Sequence, residues 1–226
     1  MSDHLPEDPV QAVRTAPRKG RPPILDRTGI TEAAIAIGFE ELSMSRVAAV
    51  LKVRHSALYR YFPSRDLLVA AAIDRIAAGV DWPEPVTAEQ FRPRLHATFH
   101  TLWTVLGAHP GLAKETSAAR FSTNKLLSRF DVLPLELVEI GFGPTDALYA
   151  VYSTLHFTLG SAIMSEDART LGPESGSRRP LAENSAAWTD ARTHDAFATM
   201  IGQSAESWFA TQLDLVLDGV CARLRS

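Results

Sequence analysis

The sequence holds one cysteine, Cys221, among 226 residues. A single thiol cannot form an intramolecular disulfide, and a Cys-ligated zinc site is not expected. This usage suits a reducing cytoplasm, where the protein is expected to work. No run of about 18 apolar residues occurs, so no transmembrane helix is expected. Residues 1–14 carry acids and prolines around no apolar segment, unlike a secretory signal. A phosphate-cradling glycine loop, a Gly-x-Ser-x-Gly elbow, a His-Glu-x-x-His and a Cys-x-x-Cys are all missing. The carboxylates are scattered without a motif. No enzyme activity, cofactor or bound metal is therefore expected.

What the chain does have is an ordinary apolar content, 46%, and enough length to bury a core without covalent staples. Its net charge of −3 conceals an asymmetry. Residues 10–65 sum to +6, and residues 66–226 sum to −6. A basic N-terminal quarter on an acidic body fits a polyanionic partner, or simply a solvated basic face. Residues 1–25 are rich in proline, glycine and charge and read as a flexible arm. Arg18 and Arg21 in its Arg-Lys-Gly-Arg-Pro-Pro stretch suit a minor groove, or a plain tail.

Beyond the arm the apolar periodicity is helical almost throughout, and an all-α fold is expected. Asp26 caps a first helix with Ile30, Ala33, Ala34 and Ile37 on one face, and Gly38 ends it. Ser43 caps a second short helix, with Val47, Ala48 and Leu51 inward. After a turn at Lys52-Val53 a third runs to about Tyr61, with Leu58 and Phe62 inward. Pro63 ends that helix and Ser64 caps a fourth. Two short helices around a tight turn form a helix-turn-helix, although any helical hairpin shows this spacing. The outer face of its second helix is Arg54, His55, Ser56, Tyr59 and Arg60, which are donors suited to base edges and phosphates.

The segment SMSRVAAVLKVRHSALYRYFPSRDLL, Ser43 to Leu68, resembles the DNA-binding segment of TetR-type transcriptional regulators. The family usually has glycine in the turn, where this chain has Lys52. Either Lys52 takes a positive φ, or the turn is reshaped. Arg54 also replaces the small hydroxyl that usually caps the recognition helix. The resemblance implies DNA contacts from Arg46, His55, Ser56, Tyr59 and Arg60, Arg46 flanking the face as a phosphate neutraliser, with Ser43, Lys52, Arg54 and Arg65 on phosphates. It implies residues 26–70 as the DNA-binding domain, on double-stranded DNA, and residues 71–226 as a larger helical ligand-binding and dimerisation domain.

In that second part, Thr87 with Gln90 reads as a capping box for a long helix to about Leu106. His109-Pro110-Gly111 breaks it, and a shorter helix follows to about Phe121. Another starts near Asn124, is interrupted near Pro134 and ends before Gly141. Pro144 opens a strongly apolar helix to about Ser165. The stretch GFGPTDALYAVYSTLHFTLGSAIMSED, from Gly141 to Asp167, is similar to the eighth helix of tetracycline-repressor-like C-terminal domains. The last helix, about Ser204 to Arg225, carries an apolar stripe at near-heptad spacing. By itself such a stripe is core more often than interface. The resemblance implies instead a homodimer built from Leu148, Leu155, Leu159, Phe209, Leu213, Val216, Leu217 and Val220. It also makes residues 166–187 a loop to a helix over about Thr189–Met200, lying on the partner's pocket.

A small-molecule effector is implied as well. His96 and His100, one helical turn apart, and Trp103 flank the main stripe and could line its pocket. Two histidines permit a metal, but no third ligand stands nearby. Glu115, with Thr116, stands close to the family's metal-ligating histidine. His156 either faces the pocket or sits in an interface. Phe130 and Tyr152 are further pocket candidates.

Overall fold

The computed structural model describes residues 25–84, 90–118, 125–170 and 190–224. Arg18, Arg21, Thr87, Phe121, Asn124, Trp188 and Thr189 lie outside them. All regular elements among the described residues are helices. The first four are α1 (Arg27–Ile37), α2 (Met44–Leu51), α3 (His55–Leu58) and α4 (Arg65–Ala78). They are followed by α5 (Phe91–Ala108), α6 (Leu112–Ser117), α7 (Lys125–Glu139) and α8 (Pro144–Thr170). The last two are α9 (Ala191–Ile201) and α10 (Ala205–Leu224).

Local chemistry sets the N-terminal boundaries. The Asp26 carboxylate accepts the Gly29 N–H at 2.7 Å. The Ser43 hydroxyl accepts from Arg46 N and the Ser64 hydroxyl from Leu67 N, both at 3.2 Å. Each satisfies a first-turn N–H that the helix cannot pair itself. Gly38 takes φ 83° and ends α1. The third helix is shorter than its sequence suggests, because Tyr59 to Tyr61 form a turn that carries Phe62 into the core, fully buried. Ile30, Val47, Leu58, Phe62, Leu68 and Val69 are all 0% exposed and hold the first four helices together. Helix α4 packs on both α1 and α7, so it belongs to the N-terminal unit and to the C-terminal bundle at once.

Pro134 does not interrupt α7, which runs straight through it. The ring removes one backbone donor and costs about 3 kcal/mol in a helix interior. Burial of Phe130, Leu133, Pro134 and Leu137 against neighbouring helices offsets this. At its end Gly141 takes φ 108°, Phe142 N–H bonds Leu137 O at 3.0 Å, and Phe142 is buried. Helix α6 is shorter than expected, and α8 continues five residues past Ser165. The Gln90 side chain makes no capping bond at the start of α5.

The near-heptad stripe of α10 is core of its own chain. Phe209, Leu213, Leu217 and Val220, and Leu155 and Leu159 of α8, are at most 8% exposed without any partner. Helix α10 lays this stripe on α5 and α8, and Arg92 of α5 ties it down from the rim, reaching Asp218 at 2.6 Å and Asp214 at 3.1 Å. These six residues therefore serve the core of the chain, with Val220 also at the edge of the outer groove. Of the expected interface, Leu148 is exposed and Val216 partly so. The outer faces of the two helices present Leu148, Tyr149, Tyr152, Met164 and Leu215 instead. A groove of about 500 Å³ runs between them, lined by Tyr149, Ser153, Val216 and Gly219 among others.

Candidate nucleic-acid interface

The turn between α2 and α3 decides the geometry of the basic face. Lys52 sits at φ 54°, ψ 40°, in the left-handed region. Val53 N–H bonds Ala48 O at 3.0 Å, and Lys52 N–H bonds Ala49 O at 3.2 Å. This pair of bonds is the Schellman ending, in which the left-handed residue is usually glycine. The turn keeps the shape that glycine would give it, at a cost of about 1–2 kcal/mol for a side chain there. In return it carries a cation at the mouth of the recognition helix. Val53 tucks against the core and fixes the direction in which α3 leaves.

Helix α3 then displays its outer face. Lys52, Arg54, His55, Ser56, Tyr59 and Arg60 are all exposed, while Leu58 behind them is fully buried. The edge of one ring meets the face of the other between His55 and Tyr59, with centroids 5.1 Å apart. That contact braces two candidate base-reading side chains against each other. Arg54 makes no side-chain cap, leaving its guanidinium to solvent. Arg46 pairs with Glu41 at 2.5 Å on an open surface, a pair that a phosphate can displace at little cost. Ser43 uses its oxygen as the α2 cap and keeps its hydroxyl proton to donate.

Arg65 is different. Its guanidinium faces inward, donating to Leu42 O at 2.9 Å and to Glu115 Oε1 at 2.6 Å. The carboxylate partner raises its pKa further above an already high value. The Arg65 side chain is 31% exposed and that of Glu115 16%, and the bridge commits this charge to Glu115. The same pair removes Glu115 from the effector candidates. The bridge joins the N-terminal unit to α6. Beside it, Phe39 N–H bonds Pro110 O at 3.2 Å, and the buried Glu166 carboxylate of α8 accepts the Gly111 N–H. Sequence reasoning missed these joints, because their partners lie 50 or more residues apart.

The other effector candidates do not converge. His96 and His100 stack at 6.0 Å and face acids of α10, 3.9 Å from Asp214 and 3.8 Å from Glu206. Trp103 joins a parallel column with Phe209 and Phe157, spaced 4.9 Å and 5.6 Å. Phe130 is core, stacked on Phe99. Tyr152 lies on the outer face of α8, donating to Asp131 at 3.0 Å, and His156 is exposed on the same helix. Among the described residues no cluster of three metal-ligating side chains forms. The structure does show two buried hydroxyls, Thr98 Oγ1 on α5, which sequence reasoning did not put forward as a site residue, and Thr116 Oγ1 on α6. Neither has a hydrogen-bond partner among the described residues. An unmade bond of this kind costs about 1–3 kcal/mol.

Two family models match the chain. One, for bacterial regulatory proteins of the tetR family, covers residues 28–72. The other, the tetracyclin repressor-like C-terminal domain, covers residues 84–224. The chain belongs to the TetR family. It is a transcriptional regulator of that family, with an N-terminal helix-turn-helix domain and a helical C-terminal domain. An HTH-type transcriptional regulator from Saccharopolyspora erythraea is 27% identical over 72% of this chain and 70% of its own. The tetracycline repressor protein class D from Escherichia coli is 26% identical over 63% of this chain and 67% of its own. A crystal structure of a possible TetR family transcriptional regulator from Streptomyces coelicolor A3(2) superimposes with TM-score 0.72. It is 27% identical and spans 87% of this chain and 99% of the other. Among the described residues no helix is long and apolar enough to cross a membrane.

Proposed function

We propose that the protein is a homodimeric repressor that grips a palindromic operator and releases it when a small molecule enters the C-terminal bundle. The observation that carries the reading is the exposed row Lys52, Arg54, His55, Ser56, Tyr59 and Arg60, without an ion pair among the described residues, set by a turn that two backbone bonds close. Two such rows enter successive major grooves, with half-sites about one helical turn or slightly more apart. Tyr59, His55, Ser56 and Arg60 read bases, while Lys52, Arg54, Ser43 and Arg46 hold phosphates. Arg18 and Arg21 of the arm add minor-groove affinity. The exposed apolar faces of α8 and α10 support self-association, and α9, largely exposed among the described residues, supports a partner that covers it. The protein acts in the cytoplasm.

The effector enters beside Thr98 and Thr116, whose unmet hydroxyls a polar ligand group would satisfy. A shift of α6 or of the end of α8 there pulls on Glu115–Arg65 and on Glu166–Gly111, and so on the seat of the N-terminal unit. Only a difference in effector affinity between the gripping and released arrangements can drive this. Selection of bound sequences from random duplex DNA tests the reading. A palindrome with two short half-sites is the expected product. No enrichment at moderate salt would reject it.

A further inference from the structure

Arg27 stands at the first position of α1, outside the helix-turn-helix. Its guanidinium carbon lies 4.2 Å above the centre of the Phe62 ring, and one of its nitrogens donates to the Tyr61 backbone carbonyl. Phe62 and Tyr61 close the segment that carries Tyr59 and Arg60. Arg27 thus lies as a flat lid over the end of the recognition segment, held by a ring face and a carbonyl. Among the described residues it has no carboxylate partner, whereas Arg46, Arg65 and Arg75 of the same unit pair with Glu41, Glu115 and Glu32. The residue is exposed, and among the described residues its one side-chain hydrogen bond leaves four of its five N–H donors unused. A cation fixed in orientation against Tyr61 and Phe62, the residues that follow Arg60, is pre-organised for a doubly bonded phosphate.

From this arrangement we infer that Arg27 is a DNA-backbone ligand, clamping the phosphate that flanks the bases read by Tyr59 and Arg60, and that it locks the recognition segment onto α1. The inference rests on the operator-binding reading above. It adds a contact from α1 to a face otherwise built from α2, α3 and their turn.

The test compares the full-length protein with Arg27→Gln and Arg27→Lys on the selected operator duplex and on a random-sequence duplex. Glutamine keeps a donor for the Tyr61 carbonyl and loses only the charge; lysine keeps the charge. Affinity is read by fluorescence anisotropy between about 50 and 200 mM salt. Arg27→Gln should bind both duplexes about thirtyfold more weakly near 0.15 M salt and flatten the log–log salt slope by about 1.8, the share of two phosphates, one from each protomer. Arg27→Lys should keep the slope, and the base preference should be the same in all three proteins. An unchanged slope in Arg27→Gln would overturn the assignment, whatever its melting temperature, and leave Arg27 as a brace for Phe62. A wild-type protein that binds neither duplex would overturn the operator-binding reading itself, and this inference with it.

Discussion

Replacing Gly111 by alanine should strike the joint between the two units of the chain. Gly111 takes φ 82°, and a methyl group built on it would stand 2.7 Å from the backbone nitrogen of Glu40 and 3.0 Å from the carbonyl carbon of Phe39. Both are main-chain atoms of the α1–α2 connection, so no side chain can swing away. The left-handed backbone costs alanine about 1–2 kcal/mol. Forcing the contact apart adds about 1–3 kcal/mol. The stiffer unfolded chain returns about 0.4–1 kcal/mol. The net loss is about 2–4 kcal/mol, and melting should fall by roughly 2–4 °C for each. Gly141→Ala is the matched control. It has φ 108° but nothing within 4 Å of the added methyl, so it meets backbone strain alone, about 1 kcal/mol. Calorimetry on the two variants isolates the contact. Equal shifts would show that the α5–α6 turn does not press on the N-terminal unit in solution, and the proposed route from Glu166 through Gly111 would fall with it.

Leu215→Arg or Tyr149→Arg, both on exposed faces, should yield folded monomers on a sizing column, while Leu213→Arg should unfold the chain, since Leu213 is fully buried. Folded dimers from the first two would place self-association elsewhere. Thr116→Val, which removes a buried hydroxyl without a partner, should stabilise the free protein by about 1 kcal/mol and weaken the effector's hold on it; a lower melting temperature would mean that the hydroxyl is satisfied. Burial lowers the pKa of His109, so the unfolded chain binds the proton more readily. Stability should therefore decline as pH falls below about 6.5, and His109→Gln should flatten that decline in melts between about pH 7 and 5. An unaltered profile would assign the acid sensitivity to other groups.

Local chemistry made the N-terminal unit legible. Asp26, Ser43 and Ser64 announce helix starts by hydroxyl or carboxylate placement, and the positive φ at Lys52 follows from one turn type requiring one backbone shape. The face of α3 was readable for the same reason, since four residues of helix fix which side chains share a side. Distance along the chain hid the rest. Periodicity tells which residues of α10 lie together but not which surface they meet, so its stripe reads as core on its own and as an interface only through the resemblance. Arg65 carried the same charge as Arg60, and nothing near it in sequence could say that Glu115 would claim it. Pro134 reads as a break wherever only propensity is counted, because the packing that outweighs it comes from other helices. Thr98 and Thr116 drew little notice because threonine is at home in a helix interior; only the absence of an acceptor around them marks them.

Helix α9 has eleven residues, and among the described residues most of its surface is exposed. An isolated helix of that length is marginal in water. If a second copy is what supports it, its helicity is a thermometer of assembly, and far-ultraviolet circular dichroism should gain amplitude as the protein is concentrated. The cell's supply of the regulator then enters the switch directly. A scarce chain is one in which this helix melts and the bundle is left uncovered, so the threshold for response depends on how much protein is made as well as on how much effector arrives.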